Sequence, residues 1–135
     1  MPVRQEDVVT FPALPQYVGA VRSALGDFLA AAGLGDEAAA DLKAAVSEAC
    51  ANIVRYAYAD KLGNMEIRFA RKPGAVAVTV ADRGRGFDPD HPPRRSLKDE
   101  DIHLGLGLKL MRSLVDELKI RSGASGTVVT LVKKI

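Results

Sequence analysis

Three residues at helical spacing, Glu48, Asn52 and Arg55, place an acid, an amide and a base on one side of a helix. At 100° per residue, Asn52 falls about 40° from Glu48 and Arg55 about 20° to its other side. The apolar stripe Leu42, Val46, Ala49 and Ile53 is centred well away from them. Pairing on a solvated face would account for Glu48 and Arg55. Asn52 is harder to place, because Asn is a mediocre helix former and the run around it is rich in Ala. A magnesium site gives it a reason: Mg²⁺ takes oxygen ligands, keeps several waters and bridges substrate phosphates, so one amide oxygen can suffice. Glu48, one turn earlier, is then placed to act as general base on an attacking hydroxyl or water.

A second group follows the run Val76-Ala77-Val78-Thr79-Val80-Ala81, which leads into Asp82-Arg83-Gly84-Arg85-Gly86-Phe87. An acid at the lip of a pocket accepts a hydrogen bond from an exocyclic amine and repels phosphate, so it suits a base. Gly84 and Gly86 let the backbone approach a flat ligand. The plain alternative is a hairpin turn with an Asp cap. A third group, Gly105-Leu106-Gly107-Leu108-Lys109, is expected to open a helix and offer N–H groups to phosphate, with Lys109 in reach. Its plain alternative is a flexible loop entering a helix.

The elements that must position these groups follow from periodicity. Residues 6–11 read as an edge strand bounded by Pro12. Pro15 begins a helix whose stripe is Val18, Val21, Leu25, Phe28 and Leu29, ended by Gly33 and Gly35. A long helix, capped by Asp36, runs to about Ala59. Met65, Ile67 and Phe69 alternate with Glu66 and Arg68 as a half-buried strand, and 76–81 form the next. Residues from Phe87 to about 104 hold Pro89, Pro92, Pro93 and a run of charges with no apolar pattern, which predicts a mobile lid. A helix through Leu108, Met111, Leu114 and Val115, a strand at 118–120 and a last strand at 127–132 complete the chain. Short turns between strands predict a mixed, mostly antiparallel sheet with helices on one face. This is an α+β two-layer sandwich, one domain over 1–135.

Composition narrows the function. The net charge of +2, from 19 basic and 17 acidic residues, gives no basis for direct nucleic-acid binding. No apolar run approaches membrane-spanning length and no signal peptide opens the chain, so a cytoplasmic protein is expected. The single cysteine, Cys50, excludes an internal disulfide and falls in an apolar helical pattern. His91 and His103 lack the ligand spacing of a zinc site. Neither the Rossmann nor the P-loop glycine pattern is present.

Taken in order, Glu48-x-x-x-Asn52, Asp82-x-Gly84-x-Gly86, Gly105-x-Gly107 and Gly126-Thr127 resemble the Bergerat-type ATP-binding fold of the GHKL superfamily, shared by histidine kinases, gyrase and the MutL repair proteins. Within it, residues 41–52 and 110–117 are most similar to the anti-sigma-factor serine-protein kinases of bacterial stress switches. The resemblance covers nearly the whole chain. It implies ATP with Mg²⁺ on Asn52, and Glu48 as the base that activates an acceptor serine. It assigns Asp82 to the adenine amine, Gly84 and Gly86 to the adenine pocket, and Thr127 to support of Asp82. Gly105, Leu106, Gly107, Leu108 and Lys109 go to the phosphate side, and Arg55 near the phosphates. Tyr56 stands where many members carry His. The implied partners are a sigma factor and a STAS-type anti-anti-sigma protein, with a homodimer as the implied assembly. Two alternatives stay open: a nucleotide-gated binding module without kinase activity, and a related kinase acting on a phosphatase or stressosome partner. The ATP-binding domain of a larger histidine kinase is disfavoured, because no phosphoacceptor helix pair precedes the motifs.

Overall fold

Strict alternation in two neighbouring segments builds the centre of the molecule. In the computed structural model, which describes residues 5–58, 62–84 and 99–135 (backbone alone for 99–104), Met65, Ile67 and Phe69 of strand β2 (Asn64–Lys72) are fully buried. Their neighbours in sequence face outward. Val76, Val78 and Val80 of β3 (Ala75–Asp82) do the same. Strands β1 (Glu6–Pro12), β4 (Glu117–Gly123) and β5 (Gly126–Lys134) complete a sheet of order β1-β2-β3-β5-β4. All four pairings are antiparallel, so the parallel component expected of a mixed sheet is not found among the described strands. The two helices between β1 and β2 bring the chain back beside β1 running the opposite way.

Helices α1 (Val18–Ala32), α2 (Asp36–Asn52) and α3 (Asp99–Leu114) lie against one face. α2 occupies the middle and touches both α1 and α3. Val21, Leu25 and Leu29 of α1 and Leu42, Val46 and Cys50 of α2 meet the inner face of the sheet. Phe28 packs on Phe69 with ring centroids 5.5 Å apart. A fully buried Leu or Phe contributes about 1.5–3 kcal/mol, so this single cluster is the main source of stability. At the far end Lys133 donates to the Leu114 carbonyl (2.7 Å) and lies 3.3 Å from Asp41, which ties β5 to the end of α3 and to α2. Burial of the Cys50 thiol pushes its pKa up to about 12, which makes it an unreactive core residue.

Three expectations are corrected. The long helix stops at Asn52 and continues as a π-helical turn, Ile53–Ala57. The wider turn takes Arg55 off the 100° progression. Such turns recur at functional sites and leave no mark in hydrophobic periodicity. Gly35, not Asp36, is the N-cap of α2, and Asp36 is its first residue. Finally, α3 begins at Asp99, so Gly105 and Gly107 lie inside a helix they were expected to open. Asp99, Glu100 and Asp101 occupy its first turn, where the helix dipole favours acids. Residues 99–104 of the expected lid are therefore helical, and 87–98 lie outside the described residues.

Candidate nucleotide site

Asn52 ends the regular part of α2, and its side-chain oxygen Oδ1 is buried with no hydrogen-bond partner among the described residues. An unpaired buried acceptor costs about 1–3 kcal/mol unless something satisfies it. A cation is a suitable partner for a carbonyl oxygen that receives no proton. Glu48, one turn earlier, is half-buried on the same helix. Gly107 of α3 faces it, and a Cβ at 107 would collide with Glu48 Oε1. The absence of a side chain at 107 is what leaves the carboxylate its place.

Asp82 ends β3 on the inner, helix-covered face and is 9% exposed. Burial pushes its carboxyl above the usual carboxylate value of 3.8, while backbone N–H groups of Gly84 and Thr127 donate to it and pull the other way. The Gly84 bond to Oδ1 is 2.8 Å. Thr127 lies directly opposite Asp82 in the β3–β5 ladder and is 7% exposed. Its hydroxyl is 2.6 Å from that of Ser122 on β4. Two backbones close in around the acid. A Cβ on Gly84 would strike the Ala57 carbonyl, and one on Gly126, at φ 126°, would strike the Asp82 carbonyl. Only glycine fits at either position.

The structure thus brings together Asp82, Gly84 and Thr127 as one group, and Glu48, Asn52 and Gly107 as another, joined by the π-helical turn that runs from Asn52 to the back of Gly84. The remaining candidates are more dispersed. Arg55 is exposed on that turn. Leu106 and Lys109 are exposed on α3. Leu108 is 4% exposed and packs in the core, so only its backbone could meet a ligand. Gly86 lies outside the described residues. A cleft of about 580 Å³ lined by Tyr58, Glu66, Asp82, Arg83, Ser125 and Val128 opens at the end of the sheet where β3 stops. Asp82 lines it, so the cleft adjoins the buried acid, while Glu48 and Asn52 are not among its lining residues. Among the described residues no cluster of three His, Cys, Asp or Glu side chains could hold a metal. A site built on one amide oxygen, substrate phosphates and water needs no such cluster.

Sequence reading did not single out Ser122 and Tyr58. Ser122 joins the group through a cross-strand partner, and Tyr58 through contacts with the start of β2 and with Arg83. Neither link has a signature in local spacing.

A helix-covered antiparallel sheet, with a buried acid at the end of one strand and on the central helix an amide oxygen unpaired among the described residues, fits an ATP-binding domain of histidine-kinase type. The chain belongs to the histidine kinase-like ATPase domain family, which it matches over residues 11–133, and within it to the family of the serine-protein kinases RsbW. It is 38% identical to serine-protein kinase RsbW of Bacillus licheniformis and 39% identical to that of Bacillus subtilis. Each match is over 131 residues, 90% of this chain and 81% of the relative. Among solved structures it is similar to the RsbU and RsbW domains of a Mycobacterium tuberculosis protein, with TM-score 0.75 and 28% identity over 97% of this chain. This chain spans 32% of that longer one. It is also similar to the histidine kinase domain of a blue-light activated kinase from Erythrobacter litoralis, with TM-score 0.58 and 25% identity over 98% of this chain and 69% of that one.

Proposed function

We propose that the protein is a Mg-ATP-dependent protein-serine kinase and anti-sigma factor, which holds a sigma factor and phosphorylates a serine of a STAS-type anti-anti-sigma antagonist. The observation that carries the reading is the buried Oδ1 of Asn52, unpartnered among the described residues, one helical turn from a carboxylate and linked by the π-helical turn to a buried acid. Asn52 would hold the magnesium ion that accompanies ATP, and the ion would supply charge neutralisation at the phosphates. Asp82 accepts a hydrogen bond from the adenine amine, with Thr127 and Gly84 holding the carboxylate in orientation. Residues 105–109 approach the phosphate side from α3, and Arg55 contributes positive charge at its edge. Glu48 takes the proton from the acceptor serine as its oxygen attacks. Phosphoryl transfer of this kind rests on positioning and electrostatics more than on covalent chemistry by the protein. A homodimer belongs to the same reading, supported by the edge position of β1 and the amphipathic α1. So does a cytoplasmic location. Among the described residues no helix is long and apolar enough to cross a membrane.

The decisive variant is Glu48→Gln, which keeps the shape and removes the base. ATP and sigma-factor binding are expected to stay at wild-type strength while phosphorylation of the antagonist falls by about 10²–10⁴. Transfer of labelled phosphate from ATP at the wild-type rate would remove Glu48 from the mechanism. If the wild-type chain binds ATP and transfers no phosphate to any STAS-type protein, it acts as a nucleotide-gated binding module.

A further inference from the structure

Tyr58 follows the π-helical turn, and its side chain joins that turn to the start of β2, five and six residues on, and to the segment after β3, 25 residues on. The ring sits against Gly63, where a Cβ would overlap it. The hydroxyl donates to the Asn64 carbonyl at 2.5 Å and accepts from the Arg83 N–H at 2.9 Å. The register of the sheet explains why both groups are available. The β2–β3 ladder ends at Met65 opposite Asp82, so one more step would set Asn64 opposite Arg83. Ala13 donates to the Gly63 carbonyl on the β1 side, so in the alternating pattern of an antiparallel strand the Asn64 carbonyl points toward β3. Without Tyr58, the Arg83 N–H would meet that carbonyl directly. The phenol hydroxyl is inserted into the ladder at this rung. It satisfies both backbone groups and holds the strands one hydroxyl apart.

We propose that Tyr58 is a positioning residue for the nucleotide: its hydroxyl ends the β2–β3 ladder at Asp82 and fixes the direction in which the Asp82–Gly84 segment leaves the sheet. The proposal rests on the reading of Asp82 as the adenine acceptor. Gly84 is the residue that donates to Asp82 Oδ1, and its backbone lies on the Ala57 carbonyl, one residue before Tyr58. The same side chain therefore sets Asp82 relative to the end of α2, where Asn52 lies. Removing the hydroxyl leaves Arg83 N–H and the Asn64 carbonyl either unpaired or zipped together by one extra rung. Both outcomes displace the loop that must then be re-ordered when a nucleotide enters, which lowers affinity.

Tyr58→Phe tests this, because it keeps the ring and its packing on Gly63. Calorimetry should show Mg-ATP binding about five- to tenfold weaker, as expected for a lost pair of backbone hydrogen bonds. The rate at saturating ATP should change by less than about twofold, since the base and acceptor are untouched. Amide exchange at Gly84 in the free variant should be faster than in the wild type. A variant that melts lower but binds ATP with wild-type affinity would reduce Tyr58 to a structural role and overturn the proposal. If the wild type itself fails to bind adenine nucleotides, the reading of the site is wrong, and the Gly84 exchange then decides the ladder role alone: faster exchange upholds it, unchanged exchange overturns it.

Discussion

At the scale of single residues, the site holds its polar groups at a cost that a ligand can repay. Asp82 is the sharpest case. Its folded-state pKa is raised, so its contribution to stability is complete below the ordinary value of 3.8 and is lost as the pH rises through the raised value. At neutral pH the free protein therefore carries a carboxylate whose ionised form is disfavoured by burial. Asp82→Asn cannot ionise, and its amide oxygen still accepts from Gly84. The free variant should match or exceed the wild-type melting temperature at pH 7, and that advantage should shrink as the pH is lowered toward 4. The amide also presents a donor to the adenine amine, so Mg-ATP should bind about 10- to 100-fold more weakly. Wild-type affinity in this variant, measured by calorimetry, would remove Asp82 from the adenine site. Both Asp82 and Asn52 were legible in the sequence, because each is a polar residue that its local pattern leaves unexplained. Arg55 was legible as a base on a helix, but its exposed position on a π-helical turn was not.

At the scale of elements, alternation and helical stripes identified the five strands and three α-helices of the described residues, and the misses lie at the ends. A π-helical turn keeps its buried residues, here Ile53 and Ala57, so periodicity passes over it. The start of α3 was hidden by charges at 98–101 that read equally well as solvated loop or as an acidic first turn. That miss changes what the glycines of α3 are expected to do. Glycine inside a helix costs roughly 0.5–1 kcal/mol relative to alanine. Gly107 is accounted for by Glu48 Oε1, which occupies the space a Cβ would need, whereas a Cβ at Gly105 would meet nothing within 4 Å. Gly105→Ala and Gly107→Ala should therefore both raise the melting temperature by a few degrees. The displaced atom at 107 is the tip of a flexible side chain, so the fold absorbs the change while the carboxylate moves. Phosphorylation of the antagonist should fall by roughly tenfold or more in Gly107→Ala, by the logic of a misplaced general base. It should stay near wild type in Gly105→Ala. Equal losses of rate and of ATP affinity in the two variants would instead assign both glycines to a phosphate cradle.

At the scale of the whole molecule, the proposed site draws on every layer: α2 for Glu48 and Asn52, β3 for Asp82, β5 for Thr127, and α3 for Gly107. α2 meets each of the other three directly, and the sheet joins β3 to β5. The order β1-β2-β3-β5-β4 places β3 at the centre, so Asp82 is carried by the most protected strand while Gly107 belongs to the helix that follows the undescribed segment. This order was the least legible feature, since adjacency of β3 and β5 pairs residues about 50 apart and follows from how the helices cover the sheet. A ligand that contacts all four elements binds the folded chain and has no counterpart in the unfolded one. At a free concentration of 100 times its Kd such a ligand adds about 2.7 kcal/mol of stability, on the order of 10 °C for a domain of this length. Mg-ATP or Mg-ADP should produce that shift. A guanine nucleotide at the same concentration should produce little, because it presents a carbonyl where adenine presents the amine that Asp82 accepts. The adenine-dependent part of the shift should disappear in Asp82→Asn, and omitting magnesium should reduce what remains through Asn52. Equal shifts with adenine and guanine nucleotides would mean that the chain recognises phosphate alone, and Asp82 would then have no part in selecting the base.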